Sequence, residues 1–341
     1  MKTIQVKTGN HISDIHVGEH LANAGLYIPP GKCVIITDTT VSHFYRDLFP
    51  PGDVITIGCG EGIKTLGTLE MIYRELIRLG ADRQTFILGI GGGIVCDIAG
   101  FAASTFMRGL RFGFVSTTLL SQVDASVGGK NGVNVDSYKN MAGVFAQPEF
   151  VICDVSLLAS LPPCEISNGF GEIVKHALIL DKDLFTYIDG NWESALNLDP
   201  EVITSLVTTS VRIKADVVQK DEREAGERRK LNFGHTIGHA LEKLTGTGHG
   251  SAVSMGMVAA AAFSRSRGLL ADADCKRITD LLARLNLPVT WDVPVSHIME
   301  TVMKDKKRAA ETVHFVFLSS IGTSLVETIR FSELETFLST W

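Results

Sequence analysis

TFILGIGGGIVCDIAG (residues 85–100) runs from a buried strand-like segment, through three glycines, into a helical pattern. TFILGI (85–90) is the kind of short apolar run that a strand covered on both faces requires. Gly91, Gly92 and Gly93 would let backbone N–H groups approach a pyrophosphate at the positive end of the following helix. The stretch departs from the dinucleotide fingerprint: counted from Gly91, the final glycine position holds Cys96, and several strands come first. A tight turn is the plainer reading of the same glycines.

Working outward, residues 3–7 and 12–17 alternate enough to predict edge strands. CVIIT (33–37) and VITIG (54–58) predict two more strands. Asp38, at the end of the first, could accept hydrogen bonds from a ribose or simply form a turn. Ile63, Leu66, Leu69, Ile72, Leu76 and Leu79 recur at helical spacing, and Gly80 stops that helix. FGFVSTTLL (112–120) adds a strand whose Thr117 and Thr118 could face a cofactor. Alternation of strand and helix to about residue 155 argues for a mainly parallel sheet with helices on its faces. From Leu157 the texture changes. Pro162-Pro163 breaks the chain, and helical periodicity then dominates, with VHFVFL (313–318) alone looking strand-like. The expectation is an α/β domain over 1–158 followed by an all-α domain over 159–341.

The 341 residues exceed one ordinary core. A net charge of −6, spread along the chain, gives no basic stripe and argues against nucleic acid. Six scattered cysteines without a CxxC pair read as buried thiols in a reducing cytosol. MKTIQVKTGN lacks the apolar core of a signal peptide, and the run near Met255–Phe263 is too short to span a bilayer. A cytoplasmic protein with no membrane partner is expected.

Three further stretches bear chemistry. LNFGHTIGHALEKLTGTGHG (231–250) puts His235 and His239 on one helical face and His249 after a loop. Imidazoles suit zinc-like ions, although caps or packing explain two of them equally well. SQVDASVGGKNGVNVDSYKNMAG (121–143) gathers Asp124, Lys130, Asn131, Asn134, Lys139 and Asn140, either for an oxyanion or as a solvated polar loop. SNGFGEIVKHALI (167–179) sets Glu172 and Lys175 three apart on a largely apolar helix.

With these stretches in hand, the chain resembles the 3-dehydroquinate synthase family. GGGIVCDIAGFAASTFMRG, STTLLSQVDASVGGKNGVN, YKNMAGVFAQPEF, GEIVKHALI, KADVVQKDEREAGERRKLNFGHTIGHALE, HGSAVSMGM and KDKKR follow its pattern in order. The resemblance implies an N-terminal dinucleotide-binding α/β domain and a C-terminal helical metal domain. It implies Zn²⁺ or Co²⁺ on Glu172, His235 and His249, with His239 as a neighbouring proton-handling histidine. Substrate contacts would fall on Asp124, Lys130, Lys139, Asn140, Lys175, Arg228, Asn232 and Lys306. NAD contacts would fall on Asp38, Glu61, Lys64, Gly91, Gly92, Gly93, Asp97, Thr117 and Thr118, with Lys130 and Lys139 serving both groups.

The family's reaction turns 3-deoxy-D-arabino-heptulosonate 7-phosphate, a sugar acid phosphate, into 3-dehydroquinate and phosphate in the shikimate route. A homodimer is expected by the same resemblance. A related cyclase of the inosose or valiolone type would be expected to alter VGGKNGVN. A metal-dependent glycerol or alcohol dehydrogenase would have no need for so many anion-binding lysines. An inactive NAD-binding regulator would have no reason to keep every ligand. Three positions depart from the family's usual residues: Ser251 for glutamate, Cys164 for arginine and Gly171 for alanine. Ser251 is expected to be tolerated as a helix cap.

Overall fold

The computed structural model describes residues 1–9, 11–136, 138–306 and 311–341, without the side chains of 305 and 306. The chain divides into two compact units, Met1–Leu161 with Ile203–Glu222, and Pro162–Val202 with Arg223–Trp341.

In the first unit the elements follow in the order β1 (Lys2–Thr8), β2 (His11–Val17), β3 (Cys33–Asp38), α1 (Thr39–Tyr45), β4 (Asp53–Ile57), α2 (Leu66–Arg78), β5 (Phe86–Gly91), α3 (Gly93–Thr105), β6 (Phe112–Ser116), β7 (Lys130–Val135), β8 (Tyr138–Phe145) and β9 (Phe150–Cys153). Seven strands pair in the order β1-β2-β9-β6-β5-β3-β4, parallel throughout except for β1 against β2. The strands predicted at 33–37, 54–58 and 85–90 are β3, β4 and β5. Their apolar runs make sense because β3 and β5 are buried almost end to end. Of the two predicted edge strands only β1 is one, since β2 pairs on its other side with β9.

After β3 the chain steps outward to β4, then returns to the opposite side of β3 as β5. The strand order therefore reverses between β3 and β5. In such sheets the carboxyl ends of the strands at this reversal form a crevice where nucleotides bind. Thr37 pairs with Ile90, and Gly91 with Ser116, so Asp38, Gly91 and Thr117 all leave the sheet at that edge. Beneath it, Ile35, Leu88, Ile90, Val115 and Ile152 form a core with Phe86 and Phe150, whose rings stack with centroids 5.8 Å apart.

The second unit holds α4 (Pro163–Leu180), α5 (Lys182–Leu196), the opening of α6 (Pro200–Lys220), α7 (His235–Thr245), α8 (His249–Ser266), α9 (Asp272–Arg284), α10 (Val295–Lys306), β10 (Thr312–Ser320), β11 (Thr323–Arg330) and α11 (Phe331–Thr340). The rest of α6 packs with the sheet unit. The strand expected at 313–318 is β10, but β11 pairs with it antiparallel, so it is not the one strand of this half. TSLVETIR escaped notice because most of β11 is only half-buried, which leaves no clean apolar alternation to read. Helices α7 and α8 meet at glycine. A Cβ on Gly256 would lie 1.9 Å from the Gly234 carbonyl oxygen, so only bare backbone permits this approach.

Candidate metal centre and nucleotide site

Glu172 lies on α4 among Ile166, Phe170, Ile173, Val174 and Ala177, all buried. A carboxylate placed there needs compensation. Lys175, one turn on and itself 1% exposed, forms an ion pair with Glu172 Oε2. Glu172 Oε1 accepts no hydrogen bond among the described residues. Facing it are His235 Nε2 at 3.6 Å and His249 Nε2 at 3.3 Å. Two ligand atoms each about 2.1 Å from a tetrahedral ion sit about 3.4 Å apart, so this spacing fits a zinc-type divalent ion. The orphaned oxygen then has a partner, and one carboxylate with two imidazoles leaves a coordination position open.

The two rings are turned for this by their other nitrogens. His235 Nδ1 lies 3.1 Å from the Phe233 carbonyl oxygen, and His249 Nδ1 lies 3.4 Å from Glu242 Oε2. His239, one turn beyond His235 on α7, is exposed, with its ring centroid 5.0 Å from that of His235. It stands beside the cluster and supplies no atom to the Glu172 group.

Burial works against the charge on Glu172, but Lys175, His249 and His235 outweigh it and hold the carboxyl well below its usual range. Burial, with Lys175 nearby, pushes His235 well below the ordinary imidazole value. Burial also opposes a charge on His249, but Glu172 and Glu242 prevail and raise it to about 9. At neutral pH, His235 is thus neutral and His249 carries a proton. A metal must displace that proton. Adding Zn²⁺ to metal-free protein at pH 7.5 is therefore expected to release about one proton per ion bound. Affinity should rise about tenfold per pH unit and flatten above pH 9. Calorimetry in buffers of different ionisation heat measures both, and no proton release would contradict this charge state.

Arg228 and Asn232 lie on a short turn, Glu227–Asn232, that packs on α4, β10 and β11. Arg228 is buried, and Asn232 donates to the Glu224 carboxylate. The Lys306 side chain falls outside the described residues.

Ser251 does not cap α8, as expected from its sequence position. The helix begins two residues earlier at His249, behind Gly248. Instead the Ser251 N–H and hydroxyl both reach the Asn168 side-chain oxygen on α4, at 3.1 and 3.2 Å. Gly171 is explained by the same contact. A Cβ there would stand 2.7 Å from the Gly250 carbonyl oxygen and 2.9 Å from its Cα. Gly171→Ala is expected to cost about 1–3 kcal/mol through overpacking, and to weaken metal binding by moving His249. Thermal unfolding and metal titration of the variant test this, and an unchanged protein would refute it.

In the sheet unit, Asp38 Oδ1 accepts from the Val41 N–H at 2.8 Å, capping α1. The turn-forming role weighed for it is thus real. Burial, against the Val41 and Thr40 N–H groups, raises its pKa. Gly91, Gly92 and Gly93 lie against Val95, Thr118 and Ala125, and a Cβ on Gly91 would meet Val95 at 2.5 Å. Thr118 exchanges hydrogen bonds with Ser121 just past β6. Glu61, Lys64, Asp97, Asn134 and Asn140 form one network. Lys64 joins Asp97 and, at 2.6 Å, Asn140, and Asn134 donates to Glu61 at 2.8 Å. Burial raises the Asp97 carboxyl to about 6 despite Lys64.

The stretch 121–143, weighed as an oxyanion site or a solvated polar loop, includes most of the hairpin β7–β8. Lys130 opens it and Lys139 lies beside its turn, starting points roughly 15 Å apart along the strands. Asn131 faces inward: its oxygen fills the notch at Gly100, and its amide bonds the Gly129 and Ala146 carbonyl oxygens.

Asp124 is ion-paired with Lys214 of α6, which also donates to its carbonyl oxygen at 2.6 Å. Lys214 was not singled out from the sequence. Its signal was available: with Val207, Val211 and Val218 it shares one buried stripe, where a lysine is costly unless paired.

The fold is shared with solved inosose and valiolone synthases. A 2-deoxy-scyllo-inosose synthase solved with carbaglucose-6-phosphate, NAD⁺ and Co²⁺ is similar at a TM-score of 0.88 and 27% identity, over 98% of each chain. A 2-epi-5-epi-valiolone synthase from Streptomyces hygroscopicus subsp. jinggangensis 5008, solved with NAD⁺ and Zn²⁺, is similar at 0.89 and 25%, over 100% of this chain and 99% of that one. More narrowly, residues 54–168 match the 3-dehydroquinate synthase N-terminal family and 169–308 the C-terminal one. A 3-dehydroquinate synthase from Geobacter sp. (strain M21) is 41% identical over 87% of this chain and 85% of its own. The chain belongs to the 3-dehydroquinate synthase family.

Proposed function

We propose that the chain converts 3-deoxy-D-arabino-heptulosonate 7-phosphate to 3-dehydroquinate and phosphate, as a carbon–oxygen lyase of the shikimate route. The observation that carries the reading is the joint match of both family halves across 54–308, with 41% identity to a named synthase. The rival cyclase chemistries are not favoured, because the similar inosose and valiolone synthases reach only 27% and 25%.

In this reading residues 1–158 hold NAD and residues 159–341 hold a divalent metal and the substrate. The reversal between β3 and β5 supports the first assignment, and the orphaned Glu172 oxygen facing two imidazoles supports the second. When bound, NAD takes up and returns a hydride, and Zn²⁺ or Co²⁺ polarises the hydroxyl oxygens beside the oxidised carbon.

The chain's own residues do the rest. Glu172, His235 and His249 fix the metal's position, and Lys175 compensates the buried carboxylate. Arg228 and Lys130 carry charge for the substrate's carboxylate and phosphate, with Lys139, Asn140, Asn232 and Lys306 assisting. Lys214 holds the Asp124 carboxylate by an ion pair, and His239 handles a proton. Asp38, Glu61, Lys64, Gly91–Gly93, Asp97, Thr117 and Thr118 cradle the nucleotide.

The six free cysteines, of which Cys59 and Cys164 are exposed rather than buried as expected, support a reducing cytoplasm as the working compartment, and a homodimer is the assembly we assign. Among the described residues no helix is long and apolar enough to cross a membrane. Incubating the protein with the heptulosonate phosphate, NAD and Zn²⁺ or Co²⁺ should release phosphate. Failure to do so with the metal bound would refute the reading.

A further inference from the structure

We infer that Glu242 is the positioning residue of the metal centre, orienting His249 through Nδ1 so that Nε2 faces Glu172. The inference rests on Glu172, His235 and His249 being the metal ligands. His235, His239 and Glu242 stand at i, i+4 and i+7 on α7, so their side chains leave one face of that helix. α8 then brings His249 onto that face, with Nδ1 3.4 Å from Glu242 Oε2 and Nε2 3.3 Å from Glu172 Oε1. One ring is thus held between two carboxylates, each addressing a different nitrogen.

A carboxylate on the outer nitrogen keeps the proton there and leaves the inner lone pair for a metal. Residue 251, which follows the His249-Gly250 pair, cannot serve in this chain, because its hydroxyl is turned to Asn168 on α4. The orienting carboxylate comes from α7 instead. His239, Glu242 and His249 could also group around an ion of their own, since their ligand atoms lie within 4.8 Å of one another. That arrangement would place His249 Nδ1, already 3.4 Å from Glu242, on a second ion, so the number of ions bound per chain separates it from a positioning role.

The test compares Zn²⁺ affinity and stoichiometry of wild type, Glu242→Gln, Glu242→Ala and His249→Ala by competition with a chromophoric chelator. The visible spectrum of the Co²⁺-loaded proteins and the unfolding temperature of the metal-free proteins are recorded alongside. We expect one ion per chain, a 10–100-fold loss of affinity in Glu242→Ala and a smaller loss in Glu242→Gln. We also expect a shifted Co²⁺ spectrum and an unchanged metal-free unfolding temperature. Adding Glu242→Gln to His249→Ala should change nothing further.

Affinity within threefold of wild type in both variants overturns the inference while leaving the metal reading intact. So does a second ion in wild type that the variants lose, which would make Glu242 a ligand. A metal-free unfolding temperature that falls in both variants, with the Co²⁺ spectrum unmoved, assigns Glu242 a merely structural role and overturns it as well. If wild type itself takes up no stoichiometric ion, the metal reading fails first.

Discussion

Stripping the protein of divalent ions, or replacing His235 by alanine, is expected to lower turnover by at least about a thousandfold, roughly 4 kcal/mol on the barrier. His235 is the informative ligand to remove. It contributes Nε2 to the Glu172 group from the start of α7, yet takes no part in the Glu172–Lys175 ion pair. Its loss should spare the fold. Glu172→Ala would be a poorer test, since it leaves Lys175 buried and unpaired, at a cost of about 3–5 kcal/mol in stability. Phosphate release after chelation, and again after Zn²⁺ or Co²⁺ is restored, is the measurement. Wild type should recover on adding metal, and His235→Ala should not. Full turnover in metal-free protein would remove the metal from the reaction.

The inner strands β3, β5 and β6 were legible because they are buried almost throughout, and runs such as CVIIT and TFILGI have few other uses. The order of those strands was not. Nothing in residues 33–91 announces that β4 lies on one side of β3 and β5 on the other, since the reversal is a property of long-range pairing. The histidines were legible as a spacing but not as a site. HxxxH fits both capping and ligation, and only the packing of α7 on α8 at Gly234 and Gly256 brings His249 to Glu172. The hairpin β7–β8 was hidden for another reason. The buried residues of β7 are consecutive and β8 is exposed along most of its length, so neither strand shows the alternation that would set it apart from a loop. Ser251 misled because N-cap preference is local. Its actual partner, Asn168, is 83 residues away in the chain. Lys214 is a charge set on a buried face, and Glu242 is a carboxylate that shares its face with two histidines.

Lys130→Ala is expected to lower kcat/KM by about a hundred- to a thousandfold while NAD still binds. Lys130 is exposed at the first position of β7, whereas the neighbouring Asn131 side chain is locked against α3. The Lys130 charge matches a substrate that bears both carboxylate and phosphate, through charge-assisted hydrogen bonds that a simple alcohol would not make. The same assay separates this chemistry from a dehydrogenase that shares the fold. A synthase that returns the hydride uses NAD catalytically, so phosphate released should greatly exceed the NAD supplied, and NADH absorbance should stay flat. NAD affinity, read by fluorescence quenching, should fall far less than turnover in Lys130→Ala. If NADH instead accumulates one-for-one with product, or an uncharged polyol is the better substrate, the lysine has no anion to hold and the reaction is a dehydrogenation.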